Sequence, residues 1–210
     1  MKNHDKQEDN GLQGGSLPTL RVALLHVEII GVMFVILGAF WFQFAKGELP
    51  CPLCLLQRMG MILATFGPAY ILIRRHVDDE SISPSSRAAT GFGMSVLGGM
   101  LGMAMAARQV LLHILPGDPG YGDAVMGMHL YSWAVVVFIV VICTSGITLL
   151  FHRELAPRRS ERPMPWWTKA TLGLLLVVIV ANIVNAFAIS GFHPFLLDNP
   201  EHYRLFGGGD

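Results

Sequence analysis

Two cysteines separated by two residues, Cys51-Pro52-Leu53-Cys54, are the residues of this sequence best suited to chemistry. That spacing lets the sulfurs close a small ring reversibly, as thiol–disulfide exchange requires. Pro50 and Pro52 bracket Cys51, and Pro52 suits a first helical turn, where its missing N–H is no loss. A helix starting there puts Cys51 near the N-cap and Cys54 near N3. Unpaired backbone N–H groups and the helix dipole favour a thiolate at those positions. Arg58 follows Cys54 by four residues, one turn deeper on the same face. It could stabilise the Cys54 thiolate, hold the oxygen of an electron acceptor at the membrane surface, or simply extend its stem through an interface. A Cys-x-x-Cys can also be half of a metal site, but no second pair or nearby Cys/His pair completes one.

The elements that must position this pair are membrane spans. Of the 210 residues, 52% are hydrophobic and 14% charged, against roughly 25% charged in soluble domains. Three cysteines are too few for a disulfide-stapled scaffold or a four-cysteine zinc site. Five runs are long enough to cross a hydrocarbon core of ~30 Å as helices. They are expected near Leu20–Phe44, Leu53–Ile73, Ala88–Leu115, Ala124–Phe151 and Trp167–Ile189. In lipid each backbone must close its own hydrogen bonds, which leaves a helical bundle.

Eleven of the 15 basic residues fall on the side of the N-terminus and of loops 74–87 and 152–169. Lys46, Arg58, Arg108 and Arg204 are left on the other. The positive-inside rule then puts the N-terminus in the cytoplasm and the C-terminus and dithiol outside, in a compartment that permits disulfides. Trp41, Trp133, Trp166 and Trp167 lie near helix ends, as interfacial aromatics do. The expected segments are a disordered cytoplasmic tail (1–18), a five-helix transmembrane domain (19–190) and an extracytoplasmic tail (191–210).

Other side chains have alternative uses. Met94, Met100, Met103 and Met105, with Met126, Met128 and His129, could form a soft Cu(I) site, although methionine is also ordinary core filler. Glu28 in the inner half of the first span needs a polar neighbour. It and His26 could serve proton uptake or be buried against polar partners. His113 and His129 flank the third loop, as interfacial residues or haem ligands. Cys143 falls roughly 20 Å into the fourth span. That depth is out of reach of Cys51 and Cys54, since a disulfide needs Cα atoms within about 7 Å. It is expected to be a packing residue.

The run Pro50-Cys51-Pro52-Leu53-Cys54-Leu55-Leu56-Gln57-Arg58 resembles the signature of the DsbB family of disulfide-bond formation proteins, at the same place before the second helix. Ala107–Pro116 resembles the end of that family's third helix, and Gly127–Trp133 the start of its fourth. The resemblance implies an all-α membrane protein, a transmembrane helical bundle with a DsbB-like four-helix core, here extended by a fifth helix. It also implies that the dithiol passes electrons to a ubiquinone or menaquinone, and that the resulting disulfide goes to a periplasmic thioredoxin-like oxidant, DsbA. Cys51 would then be the outer, exchanging thiol and Cys54 the quinone-facing one. Arg58 would be the quinone-side arginine, and Gln109 stands where the family often has a histidine near the quinone.

The family's second cysteine pair, in the loop between helices three and four, is missing. That loop reads Gly117-Asp118-Pro119-Gly120-Tyr121-Gly122-Asp123. Asp198–Tyr203 resembles the tail of five-helix members, and Ala188–Leu197 before it has no cysteine. Either the Cys51–Cys54 pair exchanges directly with a partner's thiols, or the chain is a paralogue with one dedicated thiol substrate or no exchange with DsbA. The expected function is a quinone-coupled thiol–disulfide oxidoreductase of the bacterial inner membrane that supports disulfide formation in extracytoplasmic proteins. The alternative is a non-enzymatic assembly or copper-handling factor on the same scaffold.

Overall fold

The computed structural model describes residues 17–77, 81–193, 200 and 202–207. Five helices are long and apolar enough to cross a membrane. They are α1 (Leu17–Lys46), α2 (Pro52–Arg74), α3 (Pro84–Leu112), α4 (Leu130–Leu150) and α5 (Trp166–Ser190). A single helical turn, His152–Leu155, follows α4, and a 3-10 turn, Arg204–Phe206, follows α5. Ile29, Met33, Leu72 and Phe138 belong to the buried core, whereas Leu24, Phe34, Leu97 and Leu176 face outward. A bundle that is apolar on its outside as well as its inside suits lipid. The polar tail expected over 1–18 lies outside the described residues, except for Leu17 and Pro18, which open α1.

The fourth span starts six residues later than the expected Ala124. Met126 (φ 52°) and Gly127 (φ 83°) both take left-handed backbone conformations. They turn Ala124–Val125 (β1) back onto Met128–His129 (β2) as a two-residue hairpin. The indole of Trp133 donates to the Val125 carbonyl at 3.0 Å and ties the hairpin to α4. The third span likewise stops at Leu112 rather than Leu115, capped by His113.

Helices α2 and α3 approach closely because glycine lines their seam. A Cβ at Gly98 would stand 2.6 Å from the Ala64 nitrogen, and one at Gly60 would stand 2.5 Å from the Gly102 Cα. Close approach of small residues is how helices gain contact where lipid supplies no hydrophobic drive. Pro68 sits within α2 and leaves the Ala64 carbonyl without its helical donor. The Ser95 hydroxyl of α3 donates to that carbonyl at 2.8 Å, so the seam also satisfies the broken helix.

Polar residues of the inner half are paired across helices. His26 bonds Thr168 of α5 at 3.0 Å, and Ser145 of α4 donates to Glu28 at 3.3 Å. Both therefore have the polar neighbours that burial demands. At the arginine-rich end the Ser160 amide donates to the Arg75 carbonyl at 3.0 Å, joining the two loops there. The opposite end gathers 47–51, 113–129 and the segment after α5.

Gly98→Ala should destabilise the bundle by about 1–3 kcal/mol, the usual cost of overpacking. Gly38→Ala, where a Cβ meets nothing within 4 Å, should leave it unchanged. Thermal unfolding followed by circular dichroism in detergent measures both. Equal midpoints for the two variants would contradict a close-packed seam.

Candidate functional site: a dithiol between two environments

The start of α2 has the geometry that the sequence implies. Cys51 is the N-cap, extended at φ −68° and ψ 166°, with Pro52 at N1 and Cys54 at N3. The Cys54 amide donates to the Cys51 sulfur at 3.2 Å. Both cysteines are free and their Sγ atoms lie 2.7 Å apart. The hydrogen bond to Cys54 and then burial push the Cys51 thiol above its ordinary range.

Two glutamines stand behind the sulfurs. Gln109 of α3, fully buried, points its amide nitrogen at Cys51 Sγ (3.4 Å) and Cys54 Sγ (3.6 Å). Its oxygen accepts from Gln57 Nε2 at 2.7 Å, which fixes the orientation of the Gln109 amide. Gln109 contacts the dithiol and is not on the wall of the neighbouring cavity.

That cavity, about 100 Å³, lies between α1, α2 and α4 and is lined by Cys54, Arg58, Ala39, Tyr131 and Trp133 among others. Cys51 is not on its wall. Arg58 is buried and held by α1: it donates to Gln43 Oε1 at 2.9 Å and to the Ala39 carbonyl at 3.1 Å. Its guanidinium lies 4.8 Å from the centre of the Phe40 ring. A second space, an apolar groove of about 630 Å³, runs between α1 and α4 and shares Val35 and Trp133 with the first.

The third loop lies over the end of the bundle that carries the dithiol. Tyr121 donates its phenol to the Leu49 carbonyl at 2.5 Å, and burial followed by the nearby thiols pushes that phenol up, so it remains a donor. Lys46 pairs with Asp123 at 2.8 Å, and the Asp123 amide donates to Glu48 at 3.3 Å. The Lys46 hydrogen bond and charge hold the Asp123 carboxyl below the usual aspartate range. Because that value is depressed in the folded chain, the ion pair is complete above the usual range and is lost as pH falls through the lowered value. The loop expected to carry no relay cysteine is thus a strap.

Met126 is at the exposed hairpin tip and Met103 packs against the core. His113 and His129 both stack on Tyr131, and His113 bonds Asp118 at 3.0 Å. Cys143 is exposed on the outside of α4 rather than packed within the bundle, which corrects the expectation for it. Sequence reasoning passed over Gln43, Gln57, Tyr121, Asn185 and Tyr203. Gln43 and Asn185 had a signal, since each is an amide within an apolar span. Tyr121 had none.

A vicinal dithiol carried where an apolar bundle meets water defines the class of membrane disulfide oxidoreductases. Comparison with known proteins narrows the class. The family model for disulfide bond formation protein DsbB matches residues 21–123, which spans α1 to the end of the strap. Disulfide bond formation protein B of Chromohalobacter salexigens is 30% identical over 181 residues, covering 82% of this chain and 91% of that protein. Its namesake from Marinobacter nauticus is 30% identical over 164 residues, covering 71% and 87%. The protein of that name from Burkholderia pseudomallei is 25% identical over 161 residues, covering 62% and 90%. No solved structure matches. The chain belongs to the DsbB family.

Opening the strap should expose the dithiol. In a Cys143→Ser background, Tyr121→Ala should react several-fold faster with a charged, water-soluble thiol reagent at neutral pH. Asp123→Asn should give a smaller gain of about two- to five-fold, as befits an exposed ion pair. High salt should remove only the difference between Asp123→Asn and the parent. Identical rates in all three proteins would contradict a closed strap.

Proposed function

We propose that the chain is a thiol:quinone oxidoreductase of the bacterial inner membrane, with its N-terminus in the cytoplasm and its dithiol and C-terminus on the periplasmic side. One observation carries this reading: Cys54 shares a cavity with Arg58 while Cys51 does not. Cys54, half-buried, opens on the cavity, and Cys51 is buried off its wall.

The lining fits a quinone. Tyr131, Trp133 and Ala134 offer apolar walls, Arg58 has donors not committed to α1 for a carbonyl oxygen, and the adjoining groove is aliphatic enough for an isoprenoid tail. A ubiquinone or menaquinone held there supplies an acceptor for two electrons and two protons. The chain's own part is to form one S–S bond between Cys51 and Cys54 and give up those electrons and protons. Gln109 keeps both sulfurs in place meanwhile.

In the outward half-reaction a thiolate of the substrate attacks Cys51 of the disulfide. A mixed disulfide forms and Cys54 leaves as thiolate at the helix N-terminus, where unpaired N–H groups receive its charge. The substrate's second thiol then displaces Cys51, which leaves an oxidised substrate and a reduced pair. The substrate is a periplasmic thioredoxin-like oxidant or a dedicated thiol protein. With no relay pair in the chain, exchange is direct and requires the strap to lift from Cys51.

The reduced full-length protein in detergent, without oxygen, should bleach a short-chain ubiquinone in a one-to-one ratio. Cys51→Ser and Cys54→Ser should each bring the rate to that without protein, and Arg58→Gln should raise the quinone KM at least about tenfold, as loss of a charge-assisted bond does. Undiminished quinone reduction in both cysteine variants would contradict a role for the dithiol, and a parent protein no faster than the rate without protein would favour a non-enzymatic factor instead.

A further inference from the structure

The fifth helix and the described residues after it reach the cavity beside Cys54 through the side chain of Gln43. Gln43 of α1 is almost fully buried and uses its whole amide. Its oxygen accepts from Arg58 Nη1 at 2.9 Å and from Asn185 Nδ2 at 3.2 Å. Its nitrogen donates to Asn185 Oδ1 and, at 3.1 Å, to the Tyr203 hydroxyl. Asn185 belongs to α5 and Tyr203 to the segment beyond it, both outside the residues matched by the family model.

We propose that Asn185 and Tyr203 are positioning residues for the electron-acceptor site, fixing Arg58 through the amide of Gln43. This rests on the quinone reading above. An arginine has only donors, so Gln43 must turn its oxygen towards Arg58. A glutamine amide can rotate by half a turn with little change of shape, which would set its NH2 against the guanidinium. Arg58 selects the oxygen, because a hydroxyl can donate or accept and two paired amides can turn over together. Asn185 and Tyr203 hold the amide where that oxygen meets Arg58: Asn185 closes a reciprocal pair with it, and the Tyr203 hydroxyl accepts from its nitrogen.

The chain is shaped to bring both residues there. The face of α5 opposite Asn185 carries exposed Ile183, Val184 and Phe187, so the amide is directed into the bundle. Gly191, at φ 59°, ends α5 and lets the chain fold back. A Cβ there would meet the Arg204 Cβ at 3.3 Å, in the turn that follows Tyr203. With Gln43 fixed, Arg58 keeps two anchors on α1 and presents its remaining donors to the cavity. With Gln43 free to rotate, the Ala39 carbonyl is the anchor left.

The test uses full-length protein in detergent and a short-chain ubiquinone. Trp133 lines the cavity, so binding is read as quenching of the fluorescence that Trp133→Phe removes. Asn185→Ala and Tyr203→Phe should each raise the quinone Kd, and KM with it, about 5- to 10-fold. Their kcat and titratable thiols should stay unchanged. In an Arg58→Ala background neither substitution should raise Kd further, because residues acting through one group are not additive. Tyr203→Phe removes one oxygen outside the spans, so it reads the network even where Asn185→Ala fails to assemble.

A wild-type Kd in these variants, with Arg58→Ala impaired, overturns the inference and leaves the proposed function standing. Full additivity in the Arg58→Ala background also overturns it, since a merely structural effect would add. A wild-type protein that neither binds nor reduces the quinone removes both.

Discussion

A guanidinium buried a turn below the mouth of a membrane bundle must be hydrogen-bonded, because lipid offers no water in exchange. Arg58 meets that demand with two oxygens of α1, one from a side chain and one from the backbone. The consequence reaches beyond the arginine. Helix α1 has to lie against α2 at the level of Gln43 and Ala39, and α5 has to come close enough to complete the Gln43 amide. The cavity beside Cys54 is the space this arrangement leaves between α1, α2 and α4. The position of one charge therefore shapes the wall that an electron acceptor would meet.

The dithiol depends on a different set of contacts. Its place at the N-cap and N3 of α2 follows from Pro52, and its rear is closed by Gln109, which Gln57 keeps oriented. The glycine seam between α2 and α3 lets Gln109 come this near. A bulkier residue at Gly60 would push α3 away from the sulfurs. In front, Tyr121 and the Lys46–Asp123 pair hold a short loop across the mouth. A loop of that length cannot carry a disulfide outward, but it can cover one.

Much of this was legible in the sequence. Long uncharged runs gave five spans, and the cysteine–proline spacing gave the helix start at Cys51. Glu28 and His26 showed that they would need partners. Other features were not legible. The start of α4 was misplaced because Ala124–His129 is apolar enough to read as helix, while left-handed Met126 turns it into a hairpin. The contacts of Gln109 with the sulfurs depend on how closely α3 packs on α2. Cys143 was read as core because its neighbours are apolar, but in a membrane the outside of a helix is apolar too. Pairings such as Gln43 with Asn185, more than a hundred residues apart in the chain, leave no local trace.

The central claim is that the pair faces two ways, with Cys51 toward the substrate and Cys54 toward the acceptor. Isolating mixed disulfides from cells that make Cys54→Ala or Cys51→Ala tests it most directly. A partner linked through Cys51 in the Cys54→Ala protein, and none in the Cys51→Ala protein, is the predicted result. A partner captured only by Cys54 in the Cys51→Ala protein would contradict the account.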